Sequence, residues 1–123
     1  MTIKLLVIDD DSAVTDLLSL LLKSQGFEVF ATNNSAEGLS MIRELEPDLV
    51  VLDLMMPEMD GFAVLDRMRA DPQLHPVPVI ILSNKQLSSE DIRSLEKHSR
   101  VTLQTKGILS EEELAAALQR ELF

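Results

Sequence analysis

Four groups of polar residues each follow an apolar segment of this sequence, and together they could bind a cation and a phosphoryl group. Three consecutive aspartates, Asp9 to Asp11, follow the first segment, and Asp53, Ser83 and Lys106 stand directly after later ones. Clustered carboxylates repel one another, and a hard divalent cation such as Mg²⁺, which prefers oxygen ligands, removes that repulsion. These residues therefore predict a metal site built around Asp10 and Asp53.

Asp53 is the candidate nucleophile of this cluster. A carboxylate can attack phosphorus to form an acyl phosphate, a reaction that depends on charge neutralisation more than on a general base. Mg²⁺ and the Lys106 ammonium group would offset charge on the phosphoryl oxygens, and the Ser83 hydroxyl could donate a hydrogen bond to one of them. Considered alone, Lys106 could equally be a surface lysine, and Ser83 could equally provide a hydroxyl that caps a helix. Asp11 or Ser12 is likewise typical of a helix N-cap.

Short apolar runs rich in β-branched residues, too short for helices, precede these polar groups. Their continuous hydrophobicity predicts strands covered on both faces, as in a parallel sheet with crossover helices. The carboxyl ends of parallel strands share one edge, which would bring the four polar groups into one crevice. The predicted strands are Leu5 to Ile8, Leu49 to Leu52 and Val79 to Leu82, with weaker signals at Phe27 to Ala31 and Val101 to Thr105.

Helical patterns lie between the predicted strands. In the first helix, Val14, Leu17, Leu18 and Leu21 share one face, and Gly26 is placed to end it. The alternation predicts a doubly wound α/β sandwich that forms a single domain over residues 1–123. The remaining helices are predicted at about Ser35 to Leu45, Gly61 to Arg69 and Ser89 to His98, with a last helix that begins at a capping box of Ser110 and Glu113.

Composition limits the possible partners and location. The chain has 21 acidic and 11 basic residues, a formal charge of −10, so the surface as a whole repels nucleic acids and anionic lipids. No cysteine is present, which excludes disulfides and thiolate chemistry. The sequence contains neither a signal-peptide pattern nor an apolar run of about 18 residues that could span a membrane. We therefore expect a cytoplasmic protein.

With these residues assembled, the whole chain resembles the response-regulator receiver family of two-component signalling. The segment from Leu49 to Gly61, LVVLDLMMPEMDG, looks like the phosphoacceptor strand of that family and the loop after it, and Leu6 to Asp11, LVIDDD, looks like its acid pair. A doubly wound sheet allows two strand orders, and the resemblance favours the order 2-1-3-4-5 of the CheY-like, flavodoxin-like fold. It also implies a signalling phosphoacceptor that assists its own phosphorylation and dephosphorylation rather than a conventional enzyme.

The resemblance implies a role for each candidate site residue. Asp53 would be the phosphoacceptor, and the protein would use Mg²⁺ or Mn²⁺. The metal ligands would be Asp9, Asp10, Asp53 and the backbone carbonyl of Met55; the phosphoryl-binding and switch residues would be Ser83 and Lys106; the loop-shaping residues would be Pro57 and Gly61.

The resemblance also implies the partners. A histidine kinase or a histidine phosphotransfer protein would supply the phosphoryl group. Phosphorylation would then change the surface formed by the fourth helix, fifth strand and fifth helix, at about residues 89–122. An output domain, an output protein or a second copy of the chain would bind there.

Three residues depart from the pattern of the family. Leu103 occupies the position, three residues before Lys106, where an aromatic switch residue is usual; Gly107 replaces a common proline; and Asn84 stands where a small residue is common. These departures keep open a pseudo-receiver, an interaction module that has the fold but is not phosphorylated.

An enzyme is the other alternative. Asp9 and Asp11 fit the nucleophile and acid of a haloacid-dehalogenase-like phosphatase, which would use Asp9 rather than Asp53. Such an enzyme needs a further acidic pair at the end of a later strand, and the acids at Glu111 to Glu113 fall on a predicted helix instead.

Overall fold

Five strands form a single sheet in the computed structural model, which describes residues 2–74, 77–83, 87–98 and 100–105 together with residues 116, 118 and 122. Each strand lies within one residue of its predicted bounds, because short β-branched apolar runs favour strands and are too short for helices. The strands are β1 Lys4–Ile8, β2 Glu28–Thr32, β3 Leu49–Asp53, β4 Val79–Ser83 and β5 Val101–Thr105.

The sheet is parallel throughout and has the order β2-β1-β3-β4-β5, which confirms the predicted topology. Its register sets which side chains meet at the carboxyl edge. Ile8 pairs with both Thr32 and Leu52. The residues that follow these three, Asn33, Asp9 and Asp53, therefore lie at the same level on three neighbouring strands.

Four helices alternate with the strands in the described part of the chain. They are α1 Ser12–Ser24, α2 Ser35–Leu45, α3 Gly61–Ala70 and α4 Ser89–Glu96. Residues 116, 118 and 122 are also helical. The predicted capping box at Ser110 and Glu113 lies outside the described residues.

The core has two parts, one on each face of the sheet. Successive strand residues point to opposite faces, so Leu6 and Ile8 of β1 join the cluster under α2, α3 and α4, whereas Leu5 and Val7 join the cluster under α1. Leu118 is buried in this second cluster. Cover on both faces explains why the central strands carry uninterrupted apolar residues.

The buried face of α1 matches the predicted one only in part. Leu18 and Leu22 pack into the core with Thr15, while Leu17 is 56% exposed. The predicted grouping was therefore correct for Leu18 and wrong for Leu17, and it missed Thr15 and Leu22, because the stripe that reaches the sheet runs through these two residues. Gly26 ends this helix as expected: its φ of +94° is left-handed, and its N–H donates to the Lys23 carbonyl.

Gly61 lets the start of α3 pass close to β3. Its N–H donates to the Leu54 carbonyl at 3.0 Å. A Cβ atom added at Gly61 would collide with the Asp53 carbonyl oxygen and lie 2.7 Å from Leu54 Cα. The absence of a side chain here therefore fixes the path of the loop between Asp53 and α3.

We expect Gly61→Ala to lower the free energy of unfolding by about 2 kcal/mol, because the added methyl group would meet backbone atoms of β3 and the residue after it. Gly38→Ala is the matched control in α2. Its methyl group would meet only the Ile8 side chain, whose terminal Cδ1 can move, and alanine is the better helix former by about 1 kcal/mol. Urea unfolding followed by circular dichroism measures both variants. Equal losses would contradict this account of Gly61.

Candidate metal centre at the carboxyl edge of the sheet

Three carboxylates meet at the carboxyl edge of the sheet. Asp9 and Asp10 follow β1, Asp53 ends β3, and one carboxylate oxygen from each lies within 4.8 Å of the other two. Asp9 and Asp53 are 1% and 3% exposed, whereas Asp10 is open to solvent. The structure therefore brings together the three predicted side-chain ligands.

Backbone contacts hold Asp9 in place. Its N–H continues the pairing with β2 by donating to the Thr32 carbonyl at 3.2 Å, and the Asp11 N–H donates to Asp9 Oδ1 at 3.0 Å. Asp11 is the N-cap of α1, with its side chain accepting from the Ala13 N–H at 2.9 Å. The alternative interpretation of Asp11 as a helix cap is thus confirmed.

Asn33 is a positioning residue that the sequence prediction missed. Its Nδ2 donates to the Asp9 carbonyl oxygen at 2.8 Å and to Thr15 Oγ1 at 3.2 Å, joining the end of β2 to the loop between β1 and α1. A signal was present, because Asn33 directly follows β2 in the same way as Asp9 follows β1. The Asn33 side-chain amide makes these hydrogen bonds without adding a further negative charge beside the carboxylates.

The loop between β3 and α3 folds back against Asp53. The Met55 N–H donates to Asp53 Oδ1 at 3.3 Å, which places the Met55 peptide beside the cluster. Farther along, the Met59 N–H donates to the Pro57 carbonyl at 2.7 Å across Glu58, whose φ is +66°. This three-residue turn is held to α2, because Ser35 Oγ donates to the Met59 carbonyl at 2.5 Å.

The loop methionines have different environments. Met56 is buried in the core, and Met59 is partly buried and packs against the same core. Met55 is more than half exposed and lines an open cavity of about 490 Å³ next to the carboxylates, with Asp10 and Phe62 among its other walls. The site therefore opens toward solvent past Asp10 and Met55.

The remaining predicted site residues lie on β4 and β5. Ser83 ends β4 and is buried, and its neighbour in the pairing with β5 is Thr105. Lys106 and Gly107 lie outside the described residues, as does Asn84. Leu103, at the position of the missing aromatic residue, is 45% exposed.

The carboxylate cluster fits a hard divalent cation. All three side-chain donors are oxygens, and their spacing of at most 4.8 Å allows one ion to contact all of them. Mg²⁺ retains several waters in an octahedral shell, so three carboxylates and one carbonyl leave room for water or substrate. The exposure of Asp10 supplies a solvent path.

Comparison with known proteins identifies the family. Residues 5–119 match the response regulator receiver domain. The chain belongs to the receiver domain family of two-component response regulators. The chemotaxis protein CheY4 of Vibrio cholerae has a similar structure, with a TM-score of 0.90 and 25% identity over 99% of this chain and 100% of that one. A receiver domain of a histidine kinase from Syntrophus aciditrophicus has a TM-score of 0.85 and 29% identity, over 97% of this chain and 89% of that one.

The curated relatives are longer than this chain. The DNA-binding dual master transcriptional regulator RpaA of Synechocystis is 40% identical over 80 residues, which are 65% of this chain and 33% of RpaA. The transcriptional regulatory protein AfsQ1 of Streptomyces coelicolor is 36% identical over 118 residues, 94% of this chain and 51% of AfsQ1. The chain thus spans between a third and a half of these relatives. In the described ranges, no helix is long and apolar enough to cross a membrane.

We expect Asp53→Asn to raise the free energy of unfolding by about 1 kcal/mol when divalent cations are chelated, because it removes one of three mutually repelling charges while leaving an oxygen to accept from the Met55 N–H. Thermal unfolding in EDTA, followed by circular dichroism, measures the difference. Asp16→Asn, which changes an exposed carboxylate of α1 outside the cluster, should shift stability by less than about 0.5 kcal/mol. A destabilised Asp53→Asn protein would contradict a repulsive cluster.

Proposed function

We propose that the chain is a phosphorylation switch in which Asp53 accepts a phosphoryl group in a reaction that depends on Mg²⁺ or Mn²⁺. The observation that carries the proposal is a buried carboxylate at the end of the central strand, within 4.8 Å of two others, in a member of the receiver family. The donor would be a histidine kinase or a histidine phosphotransfer protein. The whole of residues 1–123 would form one such domain, acting in the cytoplasm.

Asp53 would act as the nucleophile. One of its carboxylate oxygens would attack the phosphorus of a phosphohistidine, the new O–P bond would form as the N–P bond breaks, and the imidazole would leave with the bonding electron pair. The product is an acyl phosphate on Asp53 and a free histidine on the donor. Because the Met55 N–H donates to Oδ1, the carboxylate is held in one orientation before the reaction.

The residues around Asp53 would neutralise the negative charge of the phosphoryl oxygens. Asp9, Asp10, Asp53 and the Met55 carbonyl would hold the cation, which supplies positive charge to the phosphoryl oxygens when bound. The Ser83 hydroxyl would donate to a phosphoryl oxygen, and the Lys106 ammonium group would pair with another. Pro57 and Gly61 would shape the loop that presents the Met55 carbonyl.

The phosphorylated chain would bind its output partner through the surface of about residues 89–122. Of its described residues, Ile92 on α4 and Leu103 on β5 are large apolar side chains that remain 39% and 45% exposed. RpaA and the mycobacterial response regulator MtrA are named as DNA-binding proteins. Because this chain carries a charge of −10, we propose that it contacts a protein partner or output domain and contributes no nucleic acid contact of its own.

Phosphorylation by a small donor tests the function directly. Incubated with acetyl phosphate and Mg²⁺, the protein should gain one phosphoryl mass by intact mass spectrometry, and Asp53→Asn should gain none. Asp16→Asn is the control and should behave as the wild type, since this carboxylate lies outside the cluster. No gain in the folded wild-type protein would instead support the pseudo-receiver, which binds partners without phosphorylation.

Cation binding can be measured separately from phosphorylation, by thermal unfolding. At constant ionic strength, Mg²⁺ well above its dissociation constant should raise the thermal unfolding midpoint by about 5 °C, because it binds the folded carboxylate cluster and not the unfolded chain. Asp10→Asn should lose most of this rise while remaining folded, since Asp10 is exposed. An identical rise in Asp10→Asn would place the cation elsewhere.

A further inference from the structure

Thr15 places a buried hydroxyl on the face of α1 that packs against the sheet. It is 4% exposed and lies in the same stripe as the apolar Leu18 and Leu22. Its Oγ1 donates to the Ser12 carbonyl at 3.0 Å and accepts from Asn33 Nδ2 at 3.2 Å. A buried hydroxyl is unfavourable unless it is hydrogen-bonded, and these two contacts meet that requirement.

These contacts fix the orientation of the Asn33 side-chain amide. Because the Thr15 hydroxyl gives its one proton to the Ser12 carbonyl, it can only accept from Asn33. The Asp9 carbonyl oxygen, 2.8 Å from Asn33 Nδ2, also only accepts. The two protons of Nδ2 thus have one acceptor each, the first in the loop after β1 and the second on α1.

The Asp9 carbonyl belongs to the planar peptide unit that joins Asp9 to Asp10. The orientation of this unit sets ψ of Asp9 and φ of Asp10, and so the directions in which the two carboxylates leave the backbone. The Asp11 N–H holds the same segment from the other end by donating to Asp9 Oδ1 at 3.0 Å. Asn33 therefore holds the backbone between two of the three cluster carboxylates, and Thr15 holds Asn33.

We infer that Thr15 and Asn33 are positioning residues for the cation, because they hold the peptide unit between two of its three carboxylate ligands. The inference rests on the proposed function, which assigns a divalent cation to this cluster, and it adds how the chain orients the ligands before the ion arrives. Ligands that are already oriented lose less freedom when the ion binds. The two residues therefore raise the affinity for the cation, in addition to any effect on the stability of the fold.

Binding of Mn²⁺ tests the inference, because the electron paramagnetic resonance signal of the free ion measures binding directly. We expect Asn33→Ala to weaken binding about tenfold, since the Asp9 carbonyl loses its partner. Thr15→Val keeps the shape of the side chain but offers no acceptor, and it should weaken binding about threefold. Thr15→Ser retains the hydroxyl and should bind Mn²⁺ as the wild type does.

The double variant Thr15→Val/Asn33→Ala tests whether Thr15 acts through Asn33. Once the Asn33 amide is absent, removal of its acceptor should weaken Mn²⁺ binding no further than Asn33→Ala does alone. Losses that multiply in the double variant would overturn this connection between the two residues.

Asn34→Ala is the matched control for an effect on the fold alone. Asn34 is the N-cap of α2, where its Oδ1 accepts from the Glu37 N–H at 2.9 Å. Its replacement should lower the midpoint of urea unfolding, as the loss of a helix cap does, and leave the affinity for Mn²⁺ unchanged. Urea unfolding of each variant in EDTA, followed by circular dichroism, separates the two effects.

Three results would overturn the inference while leaving the proposed cation site intact. They are an Asn33→Ala protein that binds Mn²⁺ as tightly as the wild type, a Thr15→Ser protein that binds as weakly as Thr15→Val, and a loss of affinity in Asn34→Ala equal to that in Asn33→Ala. A folded wild-type protein that binds no Mn²⁺ would contradict the cation site itself, and the inference with it.

Discussion

Repulsion among three carboxylates is the constraint on which the rest of the site depends. Asp9, Asp10 and Asp53 present oxygens within 4.8 Å of one another, and two of these side chains are almost fully buried. Like charges in such a position lower stability unless a cation compensates them. The large apolar core on both faces of the sheet stabilises the fold that holds these carboxylates together.

Rigid neighbours hold that cluster together. The parallel register places Asp9 beside Asp53, and Asn33 fixes the Asp9 peptide from the next strand. On the other side, Gly61 allows α3 to begin against the end of β3, and the Met55 N–H donates to Asp53 Oδ1. Binding a cation or a phosphoryl group would therefore first change the conformation of the loops that follow β1 and β3.

The elements of the fold could be predicted because their signals are local, but contacts between distant segments could not. Runs such as Val79 to Ser83 identify strands by themselves, whereas their order came from the family resemblance. The capping box of Ser88 and Asp91 at α4 was missed because no apolar run follows it directly. The contact of Asn33 with Asp9 spans 24 residues and depends on the register of β2 against β1, which the sequence does not encode locally.

We propose that Asp53, and no other carboxylate of the cluster, becomes the acyl phosphate. Borohydride cleaves an acyl phosphate reductively and converts the aspartate to homoserine, so peptide mass spectrometry after treatment with acetyl phosphate, Mg²⁺ and borohydride locates the modified residue. We expect homoserine at position 53 alone. Homoserine at position 9 would contradict it in favour of a phosphatase-like nucleophile, and its absence from every position in a folded protein would show that the chain is not phosphorylated.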